Sequence, residues 1–220
     1  MLPNYVLMLE NMEDVSMPGQ LKSLMGGVLN NDSDGNSCWS EANFNPNTSL
    51  RTLLDEAKVP YTVTPNKDIN SQEVIDLISS RTESVFIFSG FGGVLLRKNI
   101  LASGKRFLHV HGGYLPKYKG STTNYFSLIM DNKMGASSIF LTAEIDCGPV
   151  LFRQEFPAPQ KREDIDHVFD SAARAKVLIE TLQSYIQLGD WSFELESNKG
   201  GETYYVIHPV LKHIAILSGD

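Results

Sequence analysis

Short apolar runs alternate with amphipathic stretches along most of this chain, and no other feature narrows the fold so much. Strands covered on both faces read as near-continuous apolar runs, whereas the helices between them repeat every 3.6 residues. The pattern predicts an α/β fold, a Rossmann-like and mostly parallel sheet flanked by helices, with a small C-terminal extension. Residues 5–9, 61–64, 85–88, 107–110, 137–143 and 150–156 read as strands, and 20–29, 49–57, 71–80, 121–130 and 164–188 as helices. Ser71 or Asn70 suits the cap of the helix at 71–80, whose Val74, Leu77 and Ile78 fall on one face. Ser121 or Thr122 suits the cap of the helix at 121–130. The Asn-, Ser-, Asp- and Pro-rich stretch 30–48 predicts a surface loop. The tail carries strand-like 191–195 and 203–207, then an apolar 210–217. With no internal repeat and no clear linker, 1–188 reads as one domain and 189–220 as an extension packed on it.

A chain of 220 residues, 42% hydrophobic, can bury the core of one large domain. Its formal net charge of −7 offers no footprint for a phosphate backbone, so a nucleic-acid partner is not expected. Two cysteines, Cys38 and Cys147, are too few for a disulfide framework and suit a reducing compartment. The first residues lack a basic n-region, and no apolar run reaches the roughly 18 residues of a bilayer span. A cytoplasmic protein without a membrane partner is the expectation. The apolar 210–217 suits cover of the core or the contact of a homodimer equally well.

Chemistry concentrates in Phe107-Leu-His-Val-His-Gly-Gly-Tyr-Leu-Pro-Lys-Tyr-Lys-Gly120, followed by Asp146-Cys-Gly-Pro-Val-Leu151. Side chains alternate along a strand, so His109 and His111 share one face. Gly112 and Gly113 let the backbone turn at the strand's carboxyl end, where open α/β sheets bind ligands. Asp146 precedes the turn signal Gly148-Pro149, which can hold its carboxylate at the same end of the sheet. A histidine on an apolar strand is ordinarily a satisfied structural residue, and an aspartate before a turn is ordinarily a turn cap. Convergence of all three is what would make them catalytic. His167 reads as solvated surface, and His208 and His213 as structural.

These residues resemble the folate-dependent formyltransferases, whose signature is Asn-x-His, a small pair, Leu-Pro, a basic-aromatic pair and Gly, then Asp-x-Gly. Here the matching residues are His109-Val110-His111, Leu115-Pro116-Lys117-Tyr118-Lys119-Gly120 and Asp146-Cys147-Gly148, and the similarity runs from about Val85 to Phe156. His109 stands where the family has Asn. The resemblance implies formyl transfer from N10-formyltetrahydrofolate to an amine, with His109, His111 and Asp146 catalytic and no metal. His111 would donate to the tetrahedral oxyanion, and Asp146 would raise its pKa, orient it and relay the amine's proton. The formyl donor would lie against Phe88, Ser89, Gly90, Phe91, Gly92, Val94 and Leu95 on one side and Thr142, Ala143, Glu144 and Ile145 on the other.

For the acceptor, the resemblance points to a nucleotide-linked 4-amino-4,6-dideoxy sugar carried on UDP or dTDP, as in the pseudaminic acid branch of the family. Such members place Asn-Met in the first loop, as at Asn11-Met12, and the tail from Gly200 to Pro209 is similar to theirs. Tyr114, Lys117, Tyr118, Lys119, Ser121 and Thr122 would meet the sugar nucleotide, by aromatic stacking and by donors to its diphosphate. Two other readings fit the residues: a zinc hydrolase using His109, His111 and Asp146, or a noncatalytic sugar-nucleotide-binding domain.

Overall fold

A computed structural model describes residues 2–9, 48–90, 93–191 and 197–218. The expected helix at 20–29, the loop at 30–47, Asn11 and Met12, Phe91 and Gly92, and most of the strand expected at 191–195 lie outside these residues. The chain divides into two compact units, Met1–Arg81 and Thr82–Asp220.

In the first unit, β1 (Val6–Leu9) pairs in parallel with β2 (Tyr61–Thr64). Between them α1 (Leu50–Glu56) starts where Ser49 Oγ accepts from the Thr52 amide, satisfying a donor the first turn leaves open. Met8, Leu54 and Val59 form the core here, with Val6, Tyr61 and Val63 against it. The next helix, α2 (Gln72–Ser79), is capped by Ser71 as expected. Its buried face is Val74, Ile75 and Ile78, while Leu77 is exposed, so the apolar stripe is rotated one position from the sequence reading.

The second unit holds a four-stranded sheet in the order β3 (Val85–Ile87), β4 (Arg106–His111), β6 (Lys133–Phe140), β7 (Val150–Pro157). A short α3 (Lys98–Leu101) makes the crossover that keeps β3 and β4 parallel. β4 with β6 and β6 with β7 run antiparallel, and the β6–β7 ladder slips at Ser138/Ile139. The expected α/β, Rossmann-like architecture is therefore present, and in the four-stranded sheet the one parallel pair, β3–β4, is continued by the antiparallel β6 and β7. β6 begins at Lys133, four positions before the expected strand start at 137.

Leu108, Phe140 and Leu151 pack together across the sheet, and Leu115, Ile139 and Val150 make a second cluster. Truncating Leu108, Leu115 or Ile139, each fully covered, to alanine costs about 2–5 kcal/mol. The region expected as one helix at 164–188 is a 3-10 turn (Arg162–Asp164), a π turn (Ile165–Phe169) and then α5 (Asp170–Leu188). α5 lays Ala172, Ala173, Val177 and Thr181 on the sheet, small side chains that permit close approach. Ser138 Oγ and Thr181 Oγ1, both fully buried, satisfy each other at 2.7 Å.

Two elements attach the C-terminal segment. A three-residue β5 (Tyr118–Gly120) pairs in parallel with β8 (Glu202–Tyr204), which is shorter than the strand expected at 203–207. The apolar 210–217 is a helix, α6 (Pro209–Leu217), capped by His208 Nδ1 and packed on α4 (Thr123–Asp131). Buried Arg162 donates to the Ala215 carbonyl near its C-terminus, where a cation suits the helix dipole. Among the described residues no helix is long and apolar enough to cross a membrane.

Candidate active site

Strand β4 ends at His111, and the polar side chains and backbone groups after it are knitted together. Gly112 and Gly113 are required there for space. A Cβ on Gly113 would lie 2.6 Å from His111 Nε2 and 2.7 Å from the Tyr118 carbonyl oxygen, inside the hydrogen bond those atoms make. A Cβ on Gly112 would meet Asp170 and Arg174. The next turn is held by Ser137 Oγ, which donates to the Gly113 carbonyl at 2.7 Å and accepts from the Leu115 amide at 3.0 Å.

His111 is buried, with Nε2 2.8 Å from the Tyr118 carbonyl oxygen and Nδ1 3.4 Å from Asp146 Oδ2. A carbonyl only accepts, so Nε2 carries the hydrogen and Nδ1 faces the carboxylate. Burial lowers the pKa of His111, opposed by the Asp146 charge and the Tyr118 carbonyl. Asp146 is itself buried, and its Oδ2 also accepts the Gly120 amide at 2.7 Å. The expected convergence of His111 and Asp146 is therefore present. The expectation that His111 aims a ring N–H at a substrate oxyanion does not match this arrangement, because both ring nitrogens already face protein groups.

His109 is half-buried and differently placed. Its Nδ1 lies 3.0 Å from the Phe88 carbonyl oxygen, which again requires the hydrogen on the bonded nitrogen. Nε2 of His109 has no hydrogen-bond partner among the described residues and, in the neutral ring, presents a lone pair. Burial also lowers the pKa of His109, the Phe88 carbonyl opposing and the Arg174 and His111 charges assisting. Near neutral pH this ring is a base with its tautomer set by main chain.

Sequence reading missed what stands behind the strand. Arg174 donates to the Val110 carbonyl at 2.7 Å and pairs with Asp170 at 2.6 Å. Asn124 donates to Asp170 at 2.7 Å and accepts the Gly135 amide. The only local signal was an Asp and an Arg four apart on a helix, which ordinarily means an exposed pair.

The positions expected to meet the acceptor are mostly engaged within the protein. Tyr118 is 2% exposed and donates its hydroxyl to Asp131 at 2.6 Å; burial raises its pKa. Lys117 is exposed but pairs with the same carboxylate at 2.6 Å, and these two partners hold Asp131 below the ordinary carboxylate range. Lys119 is 5% exposed, its ammonium 2.9 Å from the Asn198 carbonyl and 3.7 Å from Cys147 Sγ. Burial of Tyr118 and Lys119 removes them from any open stacking or diphosphate contact. Thr122, expected as a helix cap, sits at the cap position in left-handed backbone with no side-chain cap bond; its hydroxyl accepts the Ile207 amide instead. Ser121 is exposed, and Tyr114 is half-buried with the Arg153 guanidinium 5.0 Å from its ring centre.

Of the expected formyl-donor residues, Val94, Leu95 and Ile145 expose apolar side chains, Ser89, Gly90 and Glu144 are exposed, and Phe88 is half-buried beside the His109 ring. Thr142 and Ala143 line a cleft of about 520 Å³ with Lys98, Lys105, Arg106 and Phe140. That volume lies in the range of small-molecule sites. The Arg106 guanidinium lies 4.6 Å from the Phe140 ring centre. The three cations of this cleft suit a ligand that carries carboxylates, as a folate does. No sequence signal singled out Lys98, Lys105 or Arg106. For the zinc alternative, no three His, Cys, Asp or Glu side chains among the described residues are grouped to hold a metal.

The chain is similar to several known proteins. A methionyl-tRNA formyltransferase of Lactiplantibacillus plantarum is 29% identical over 125 residues, 56% of this chain and 39% of that protein. The chain thus matches less than half the length of that relative. Among solved structures, a sugar N-formyltransferase from Shewanella sp aligns over 98% of this chain and 87% of that one, with a TM-score of 0.54 and 16% identity. The formyltransferase PseJ from Anoxybacillus kamchatkensis, in complex with UDP-4,6-dideoxy-4-formamido-L-AltNAc and tetrahydrofolate, aligns over 71% of this chain and 80% of that one, at TM-score 0.51 and 18% identity. The formyl transferase family model matches residues 41–182, more than half of the sequence. The chain belongs to the formyl transferase family.

Proposed function

We propose that this protein is an N-formyltransferase that moves a formyl group from N10-formyltetrahydrofolate to the amino group of a nucleotide-linked 4-amino-4,6-dideoxy sugar. The observation that carries the formyl-transfer reading is the buried contact of His111 with Asp146, together with a His109 Nε2 that has no hydrogen-bond partner among the described residues. The acceptor amine attacks the formyl carbon, the carbonyl becomes a tetrahedral oxyanion, and collapse breaks the bond to N10. One proton leaves the amine and one reaches N10 of the departing tetrahydrofolate.

His109 Nε2 is suited to take the amine's proton and then, as an imidazolium, to donate to the oxyanion or to N10. Asp146 places a carboxylate beside His111, where it favours the charged ring. The donor would use the cleft lined by Arg106, Phe140, Thr142 and Ala143, and the exposed side chains of Val94, Leu95 and Ile145 offer further apolar surface. Ser121, Lys117 and Tyr114 are the exposed or half-buried groups left for the acceptor. In this reading residues 1–188 form the catalytic domain and 189–220 the extension.

Two observations support the sugar nucleotide: the breadth of the likeness to the Shewanella enzyme and the net charge of −7, which disfavours a tRNA. The identity to methionyl-tRNA formyltransferases favours a second reading, in which the amine belongs to methionyl-tRNA. Incubating the protein with N10-formyltetrahydrofolate and either UDP- and dTDP-linked amino sugars or methionyl-tRNA separates them. The expected result is tetrahydrofolate release and a mass gain of one formyl group on a sugar nucleotide; formylation of methionyl-tRNA alone would overturn it.

A further inference from the structure

We infer that Asn198 is a positioning residue for the Asp146 carboxylate, clamping the turn that carries it onto the strand that carries the His111 partner. The inference rests on the formyl-transfer reading of the His109, His111 and Asp146 site.

Asp146 has φ of +51°, a left-handed conformation that residues with a side chain adopt rarely. The turn does little to enforce it from within, since its own main-chain bond, Cys147 N–H to the Glu144 carbonyl, is long at 3.4 Å. Asn198 supplies what is missing. Its Nδ2 donates to the Asp146 carbonyl at 2.8 Å and to the Gly148 carbonyl at 2.6 Å, so each amide hydrogen grips one end of the turn. The amide orientation follows, because an oxygen facing two carbonyls would repel them. Asn198 Oδ1 is buried and has no hydrogen-bond partner among the described residues, so the nitrogen's two contacts are what hold the side chain.

Asn198 is anchored in turn. Its own carbonyl accepts the buried Lys119 ammonium at 2.9 Å. A few residues later Gly201, at φ of +77°, packs where a Cβ would strike the Pro116 carbonyl, and β8 pairs with β5. β5 is the strand whose Tyr118 carbonyl takes His111 Nε2 and whose Gly120 amide takes Asp146 Oδ2. The contacts therefore close a ring: Asp146, His111, Tyr118, Lys119, Asn198 and back to Asp146. Cutting the ring at Asn198 frees the turn to leave its left-handed conformation and carry the carboxylate away from His111.

The test combines kinetics with NMR titration of the His111 ring. The charged and titratable groups facing that ring are Asp146, Asp170, Arg174 and His109, and Asn198 adds none, so its loss can act on the ring only through the position of Asp146. For Asn198→Ala and the near-isosteric Asn198→Asp, which keeps the shape but has no N–H to donate, kcat is expected to fall about 10- to 100-fold with little change in KM. In Asn198→Ala the His111 titration should also move to lower pH, because the Asp146 charge that raises it has retreated. In the parent protein the two Asn198 amide protons should appear as separate signals that exchange slowly with water, a measurement that needs no variant to fold. Parent-like kcat and His111 titration in Asn198→Ala would overturn the assignment, as would fast-exchanging, equivalent amide protons in the parent. A parent that releases no tetrahydrofolate with any acceptor defeats the formyl-transfer reading, while the two NMR measurements still decide the role of Asn198.

Discussion

Residues 146–148 and residues 142–145 adjoin in sequence and sit in opposite environments. The first group is covered, with the Asp146 carboxylate and the carbonyls of Asp146 and Gly148 all engaged by donors. The second is exposed from Thr142 to Ile145, with half of the Ile145 surface in water. On the proposed function, the contrast separates two tasks. The groups that would move protons are preset by the protein's own hydrogen bonds, at a cost the fold has already met. The groups that would select a ligand are left open, and cover of their apolar part, chiefly Ile145, would contribute roughly 25 cal/mol per Å².

The strongest way to break this comparison is Asp146→Asn, which keeps the acceptor for the Gly120 amide but removes the charge. It should lower kcat about 10³-fold while the thermal midpoint stays near the parent's. Parent-like turnover would show that the preset carboxylate takes no part in the chemistry.

Next is His109→Asn, expected to lower kcat about 10- to 100-fold and to change the pH profile. In the proposed reaction His109 serves as a neutral base, and burial puts its pKa below the ordinary 6.5. The parent's kcat/KM should thus be flat above pH 6.5 and fall as the pH drops below it. Since burial lowers the pKa of His111 as well, removing the titrating ring at 109 should leave the variant's acid limb shallower than the parent's. Superimposable limbs in the two proteins would remove His109 from the reaction.

A third change sharpens the comparison on its structural side. Gly113→Ala forces a methyl between His111 and Tyr118, and unfolding should become about 1–3 kcal/mol easier in denaturant titration. Ile145→Ser, on the exposed side, should leave stability within about 0.5 kcal/mol. It should raise KM for the folate donor a few-fold with kcat unchanged. An effect of Ile145→Ser on kcat rather than KM would erase the division between the two regions.

The site was legible where local spacing carries the information. His109, His111 and Gly112-Gly113 follow from alternation along one strand and the turn that ends it, and Asp146 from its place before Gly148-Pro149. The α/β layering followed from apolar periodicity in the same way. What stayed hidden depends on distant partners. β5 has three residues and no periodicity, and it exists because β8 pairs with it. Lys119 reads as a solvated charge, yet the segment at 197–204 covers it. Asn198, between Ser197 and Lys199, has the composition of an ordinary loop, and nothing near it in sequence predicts a grip on a turn 52 positions away. The start of β6 was missed because Asn132 and Gly135 read as loop residues, although Asn124 takes the Gly135 amide and lets the strand continue.

Lys119 and Asn198 are 79 positions apart. At ordinary rates of ribosomal elongation, on the order of ten seconds separate the polymerisation of one from that of the other. For the part of that interval after Asp146 is added, a nascent chain carries His109, His111 and Asp146 but lacks the residue that grips the Asp146 turn. On the proposed function, catalytic competence therefore waits for synthesis of the segment at 197–204.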